Sequence, residues 1–239
     1  MLSPTEVDFA LEDFHADQER VRDFYHQVGI LEDVLVPLAQ HHTADGAHSY
    51  YILFDNAATY GCPGLPQLLA LHLERDRERR TFDFQQAPLP LAAMARSWLI
   101  HRGCPPDALV LDPELSPLPA DEATRALEQR LAGDGDHYAM GYSCTRDGPD
   151  DTVTVVVLRA LDERASSPVR VVVEEVDTDR WTYTLREGGF DTVGAALQWC
   201  EDRLAGEADP LPPVRPATAA RRPPGTAKPP APRLHSRSR

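Results

Sequence analysis

The chain has 239 residues, of which 42% are hydrophobic and 26% are charged, and this is the ordinary composition of a globular protein. No apolar run approaches the roughly 20 residues that span a bilayer. The first residues, MLSPTEVDFALED, carry acids where a signal peptide carries bases. We therefore expect a soluble, cytoplasmic protein with no membrane contact.

The basic residues are almost all arginine, because Lys228 is the only lysine in the chain. Together with frequent Ala, Pro and Gly, this bias indicates a GC-rich bacterial genome. Schiff-base chemistry needs a lysine inside the fold and a P-loop needs Gly-Lys-Ser/Thr, so both are excluded. The cysteines Cys62, Cys104, Cys144 and Cys200 form no CxxC motif, and they predict free thiols.

The first hundred residues predict a mostly helical segment with short strands. Ser3-Pro4-Thr5-Glu6 resembles a capping box, and apolar residues at helical spacing follow it as far as Gly29. The predicted helices of this segment cover residues 3–29, 30–40, 66–80 and 89–102, and the predicted strands cover 49–54 and 81–85.

Five prolines between Cys104 and Ala120 mark the best internal boundary, because proline removes backbone donors. Whether the parts on either side form one domain or two stays open. The predicted divisions are a mixed helical region (1–103), a Pro-rich connection (104–120), an α+β domain (121–206) and a disordered tail (207–239).

The second half predicts an α-β-β-β-β-α unit. Short turns between successive strands require antiparallel pairing, so the four strands should form a meander. The predicted helices cover 121–131 and 191–205, the latter capped by Asp191 and ended by Gly206, and the predicted strands cover 137–145, 152–159, 169–176 and 180–186. Residues expected to be buried across the whole chain are Phe14, Phe24, Trp98, Val155, Val171, Trp181, Leu197 and Cys200.

After Asp209 the composition changes to nine prolines and seven basic residues with no acid. The whole chain has a formal charge of −14 and this segment +7, which leaves −21 for residues 1–209. So few apolar residues cannot offset the ordering entropy, and we expect disorder with few contacts to the body. The basic candidates for interaction are Arg215, Arg221, Arg222, Lys228, Arg233, Arg237 and Arg239.

The histidines that could bind a metal lie in one polar stretch. His42 and His48 with Asp45 supply suitable ligand types, but the pattern is more typical of a solvated turn. Cys62 or Cys104 could act as a nucleophile with a distant histidine such as His72 or His101. Both cysteines precede proline and start no helix, so buried structural thiols are favoured.

Two further patterns have a structural and a functional interpretation. Gly188-Gly189 before a helix could accept an anion, but Asp191 already supplies a negative group there, which favours helix capping. Trp181, Tyr183 and Trp199 could stack nucleic-acid bases, whereas a core role fits the strand alternation better. The sequence predicts no cofactor and no metal.

The strongest unusual feature is therefore the segregation of charge. It favours a non-catalytic interaction or regulatory protein of the adaptor, chaperone or immunity type, with an acidic body, a basic arm and another protein as partner. The alternatives are nucleic-acid association through the basic tail, and a small enzyme whose site is assembled only in the fold.

Overall fold

The computed structural model describes residues 7–58, 64–133, 137–148, 151–161, 165 and 167–215. This part of the chain is α+β, with two mostly antiparallel sheets and four helices. The helices are α1 (Gln18–Gln27), α2 (Ala92–Ile100), α3 (Glu122–Gly133) and α4 (Val193–Ala205). The strands are β1 (Leu35–His42), β2 (His48–Asp55), β3 (Leu68–Asp76), β4 (Thr81–Leu89), β5 (Leu118–Pro119), β6 (Tyr138–Asp147), β7 (Asp151–Ala160), β8 (Val169–Asp177) and β9 (Thr182–Phe190).

The first sheet has the order β1-β2-β3-β4, and every neighbouring pair is antiparallel. Its inner face packs on α2 through Ala95 and Leu99. Its outer face is covered by α1 and by the N-terminal segment, in which Val7 and Phe9 are buried. The expectation of a mostly helical first half is therefore wrong, because a four-stranded sheet forms its centre.

Three predicted helices of the first half differ from the structure. Of the helix predicted over 3–29, only Gln18–Gln27 is helical; residues 7–17 run without regular structure, and 1–6 lie outside the described residues. Region 30–40 contains a 3-10 turn, Gly29–Val34, and then strand β1. The helix predicted over 66–80 is strand β3, whose leucines are buried on both faces and so show no alternation.

Pro37, which suggested an interruption, lies in β1 where the pairing with β2 shifts register. Proline cannot donate to a strand ladder, so it is tolerated at an edge strand or a bulge. β1 is the edge of its sheet and meets both conditions.

The second sheet has the order β5-β9-β8-β7-β6, and its four long strands form the predicted antiparallel meander. Its inner face packs on α2 and α3, while its outer face packs on α4. The N-cap of α4 is Thr192, whose hydroxyl accepts from the amide of Ala195 at 3.2 Å, so the predicted Asp191 cap is one residue off. Gly206 ends α4 at φ 81°, as predicted.

The second half repeats the first. β3, β4 and α2 begin 101 residues before β8, β9 and α4. The two hairpins have the same turn, since Arg80 and Trp181 both adopt φ 53° directly before the returning strand. Between 68–100 and 169–201 the residue is identical at Glu74/Glu175, Asp76/Asp177, Arg79/Arg180, Thr81/Thr182, Ala95/Ala196 and Trp98/Trp199.

The two halves share a hydrophobic core. Leu91 and Ala93 at the start of α2 cluster with Leu127 of α3 and with Val172 of β8. The connection after α2 is ordered where it crosses the first sheet, because Cys104 and Leu109 are buried in that sheet's inner core. The layers therefore run from α1 through the first sheet, α2 with α3, and the second sheet to α4.

The first residues of the predicted tail lie against the body, contrary to the expectation of few contacts. Leu211 packs against the core under α4, and the amide of Gly189 donates to the carbonyl of Pro212 at 3.1 Å. The indole N–H of Trp199 donates to the carbonyl of Asp209 at 2.8 Å. Residues 207–215 have no helix or strand, and 216–239 lie outside the described residues.

The burial predictions are partly confirmed. Val155, Val171 and Cys200 are buried, whereas Phe14, Phe24, Trp98 and Leu197 are half-buried. Trp181 is 38% exposed, so its predicted burial is wrong. None of the helices in the described ranges has the length and apolar character that a membrane crossing requires.

Candidate binding cleft between the sheets

A cleft of about 240 Å³ lies between the inner faces of the two sheets. The first sheet contributes Leu38, Phe54 and Leu68 to its wall, and the connection before β5 contributes Leu111 and Leu115. The remaining lining residues are Gln67, Pro90, Ala92, Ser116, Pro117, Asp147, Thr152, Thr154, Glu174, Val176, Thr178, Trp181 and Tyr183. The cleft is therefore mainly apolar, with its charged groups on the second sheet.

Both charged residues of this lining are acids, Asp147 and Glu174, and none of the described lining residues is basic. An anion would meet two carboxyl groups and an apolar wall with no compensating charge, so the lining disfavours it. The cleft suits a neutral or cationic group.

Glu174 is placed in the cleft by the strand register. On the inner face of the sheet it lies opposite Thr154 of β7 and Leu185 of β9. The hydroxyl of Thr154 lies 3.0 Å from that of Thr145, so these two groups satisfy each other. Among the described residues, no side chain forms a hydrogen bond or ion pair with the Glu174 carboxyl.

This environment raises the pKa of Glu174 to about 8, first because burial removes water from the carboxylate and second because Glu128 is nearby. Glu128 itself has partners: it accepts from the hydroxyl of Tyr183 at 2.8 Å and forms an ion pair with Arg96 at 3.2 Å. Burial and Glu128 also raise the pKa of Tyr183. Of these two neighbouring acids, Glu174 is the one without a compensating group.

The internal repeat shows what the fold alone requires at this position. The residue 101 positions before Glu174 is Leu73, which is fully buried in the first sheet's outer core. The repeat also places Arg170 where the first half has Leu69. Arg170, however, is paired with Glu187 and stacks over Tyr138. Glu174 is half-buried, so it places a partly accessible carboxyl where the first half has a fully buried leucine, and no described side chain pairs with that carboxyl.

An exposed tryptophan belongs to the lining of the cleft. Leu118 is 52% exposed and Trp181 38%, and the amide of Leu118 donates to the carbonyl of Trp181 at 3.1 Å. The positive φ of Trp181 belongs to the hairpin and not to the site, because Arg80 adopts the same value in the first half. Trp181 lines the cleft and is also exposed, so its side chain forms the rim of the cleft.

The predicted histidine group lies on the hairpin between β1 and β2. The Nδ1 atoms of His42 and His48 contact different partners, the hydroxyl of Ser49 at 2.8 Å and Nε2 of His72 at 3.1 Å. Asp45 accepts from the hydroxyl of Thr43 and is used within the turn. The described residues contain no group of three metal-ligating side chains.

The cysteine candidates have environments that oppose nucleophilic chemistry. Burial raises the pKa of Cys104 to about 11 and is the main cause that raises the pKa of Cys200 to about 12, so both thiols are protonated at neutral pH. Cys144 is also a free thiol, and Cys62 lies outside the described residues.

The remaining sequence candidates do not converge on one place. Gly188 and Gly189 lie against residues 211–214, as their missing side chains allow. The aromatic residues of the predicted platform separate, since Trp199 packs on the outer face and Tyr183 on the inner face. Arg215, the described member of the basic candidates, pairs with Asp191; the other six lie outside the described residues.

A second groove of about 290 Å³ lies between β6 and α2. Tyr138 of β6, Trp98 of α2 and His101, which directly follows α2, line it. The guanidinium of Arg102 lies 3.4 Å from the Trp98 ring centroid and donates to Gln85 at 2.8 Å. Its described lining contains no carboxyl or thiol group, and its titratable residues are His101, Arg102 and Tyr138.

Sequence reasoning missed Glu174 because nothing marks it among 38 acidic residues. The one usable signal is local: Glu174 interrupts the valines of β8 on the inner face. Comparison with protein-family models, with curated proteins and with solved structures finds no match for this chain.

Proposed function

We propose that this chain is a non-catalytic interaction protein that recognises a basic segment of a partner protein at the cleft between its sheets. One observation carries the proposal: a mainly apolar cleft contains two acids and no basic residue in its described lining, and Trp181 of that lining is exposed at its rim. Tryptophan is enriched among the residues that dominate binding energy at protein interfaces.

The charge of the chain supports the same partner chemistry. Residues 1–209 have a formal charge of −21, so their field attracts basic segments and accelerates encounter at low salt. Cys104 and Cys200 are protonated at neutral pH, and this disfavours these two thiols as nucleophiles.

The test is crosslinked capture of partners from native lysate by the tagged full chain. The variant Trp181→Ala removes the rim aromatic, and Tyr25→Ala removes an exposed aromatic from α1 as the matched control. We expect capture of a defined basic partner to fall at least fivefold with Trp181→Ala and to stay unchanged with Tyr25→Ala. A lone monomer after crosslinking, or equal capture by both variants, would contradict the proposal.

Nucleic-acid association through residues 210–239 is the second candidate, favoured by seven basic residues without an acid. The acidic body competes for the same charges, and Arg215 already pairs with Asp191. Comparing DNA and RNA binding of the full chain with that of a chain ending at Asp209 separates the two candidates. Equal binding by both chains would reject the second.

A further inference from the structure

We infer that the carboxyl group of Glu174 binds the cationic head of an arginine or lysine side chain that the partner protein inserts into the cleft. This inference rests on the proposed function and adds to it the residue that recognises the partner's basic side chain. It names Glu174 as the specificity-determining group and the basic side chain as its ligand.

The Glu174 carboxyl is unpaired among the described residues. Glu128 on α3, whose charge helps to raise the pKa of Glu174, has both a hydrogen bond from Tyr183 and an ion pair with Arg96. Glu174 has neither among the described residues, although the same repeat position in the first half holds a buried leucine. A cation is the ligand that restores to a desolvated carboxylate the interaction it has lost with water.

The size and shape of the cleft fit one long side chain. A cavity of 240 Å³ is below the usual 300–1,000 Å³ of drug-sized sites, and it takes one long side chain. Its wall of Leu38, Leu68 and Val176 suits the methylene groups of arginine or lysine, which bury their stems along apolar surface. Trp181 at the rim covers the entering chain and can stack on a guanidinium.

Binding of a cation at Glu174 would be coupled to the release of a proton. Because the pKa of Glu174 is about 8 in the free protein, the carboxyl is mainly protonated at pH 7, and a bound cation favours the ionised form. The cation should therefore displace the proton, and affinity should rise with pH up to about 8. The charged or titratable groups that share this inner side of the sheet are Tyr138, Asp147, Arg170, Tyr183 and Glu187 from the strands, Glu128 and Arg130 from α3, and Arg96 from α2.

The experiment measures binding of n-butylguanidinium chloride, a mimic of the arginine side chain, to the purified full chain by calorimetry. The neutral probe n-butylurea has nearly the same shape. For the wild type we expect guanidinium affinity to rise on the order of tenfold or more between pH 6.5 and pH 8.5, with proton release seen in buffers of different ionisation enthalpy. The affinity of n-butylurea should be weaker at pH 8.5 and should not rise with pH.

Glu174→Gln tests the residue, and Glu201→Gln, an exposed carboxyl on α4, is the matched control. We expect Glu174→Gln to lose at least tenfold in guanidinium affinity at pH 8.5, together with the pH dependence, while Glu201→Gln behaves as the wild type. Equal guanidinium affinity in wild type and Glu174→Gln would overturn the inference. If Glu174→Gln fails to fold, proton release on binding of n-butylguanidinium to the wild type is the deciding measurement. Binding without proton release would overturn the inference.

A chain ending at Arg215 identifies the occupant. Much tighter probe binding by this chain than by the full chain would show that the protein's own basic segment fills the cleft, and this would overturn the partner assignment. Capture that depends on Trp181 but not on Glu174 would leave the proposed function standing and reject the inference. Probe binding that depends on Glu174 without any captured partner would reject the proposed function alone.

Discussion

Replacing Glu174 by glutamine should change how the stability of the free protein depends on pH. The carboxyl has an ordinary pKa of 4.5 when the chain is unfolded and about 8 in the folded protein. Between these values the folded state binds one more proton than the unfolded state, so the free energy of unfolding falls as pH rises. The glutamine variant has no such proton, and its stability should lack this decrease.

The magnitude follows from the two pKa values. One pKa unit corresponds to about 1.4 kcal/mol, and the linkage relation gives a loss on the order of 3 kcal/mol between pH 5.5 and pH 8.5 for this single group. Other titrating groups, such as His72, whose pKa is lowered by burial, contribute equally to both proteins and cancel in the difference. The difference in stability between variant and wild type should therefore grow by about 3 kcal/mol over this range.

Urea unfolding at pH 5.5, 7.0 and 8.5, followed by circular dichroism, measures this difference without any ligand. Glu201→Gln is again the control, since an exposed carboxyl gives no comparable slope. A difference between Glu174→Gln and wild type that changes by less than about 0.5 kcal/mol from pH 5.5 to 8.5 would refute the reasoning. It would mean that Glu174 is solvated or paired in solution.

Two further predictions concern the backbone. Gly206→Ala should destabilise the protein by about 1 kcal/mol, because φ is 81° at this position. Gly194→Ala lies inside α4 and should stabilise the protein by up to about 1 kcal/mol. Thermal unfolding measures both effects, and a change of the same sign in the two variants would contradict the prediction. In a chain ending at Arg215, Gly188→Ala should cost about 1–3 kcal/mol, because its Cβ would lie 3.0 Å from the backbone carbonyl oxygen of Pro212 and 2.7 Å from Cδ2 of Leu211. In a chain ending at Asp209 the same substitution should be nearly neutral, and an equal cost in both chains would show that the contact with 211–212 is not the cause.

Sequence alone determined most of the second half, because its residues make one consistent pattern. Valines alternate with polar residues or form short runs, and turns of Asp and Gly separate them, so an antiparallel meander was the solution compatible with such short connections. Gly206 ends α4 because a residue without Cβ adopts positive φ at little cost.

The first half was misread where burial on both faces removed the periodic signal. In β3 the leucines serve two cores at once, Leu68 toward α2 and Leu69 toward the N-terminal segment, so a buried strand resembles the start of an apolar helix. The repeat was also invisible, because few of its residues are identical and only the register and the shared hairpin turn reveal it.

The site was decided by tertiary structure alone. Strand pairing places Glu174 on the inner face, opposite Thr154 and Leu185, and the packing of the second sheet against the first makes it part of the lining of a mainly apolar cleft. The same carboxyl on an exposed turn would keep its water and its ordinary pKa. What makes it a candidate is desolvation, a property of the assembled layers that no sequence spacing encodes.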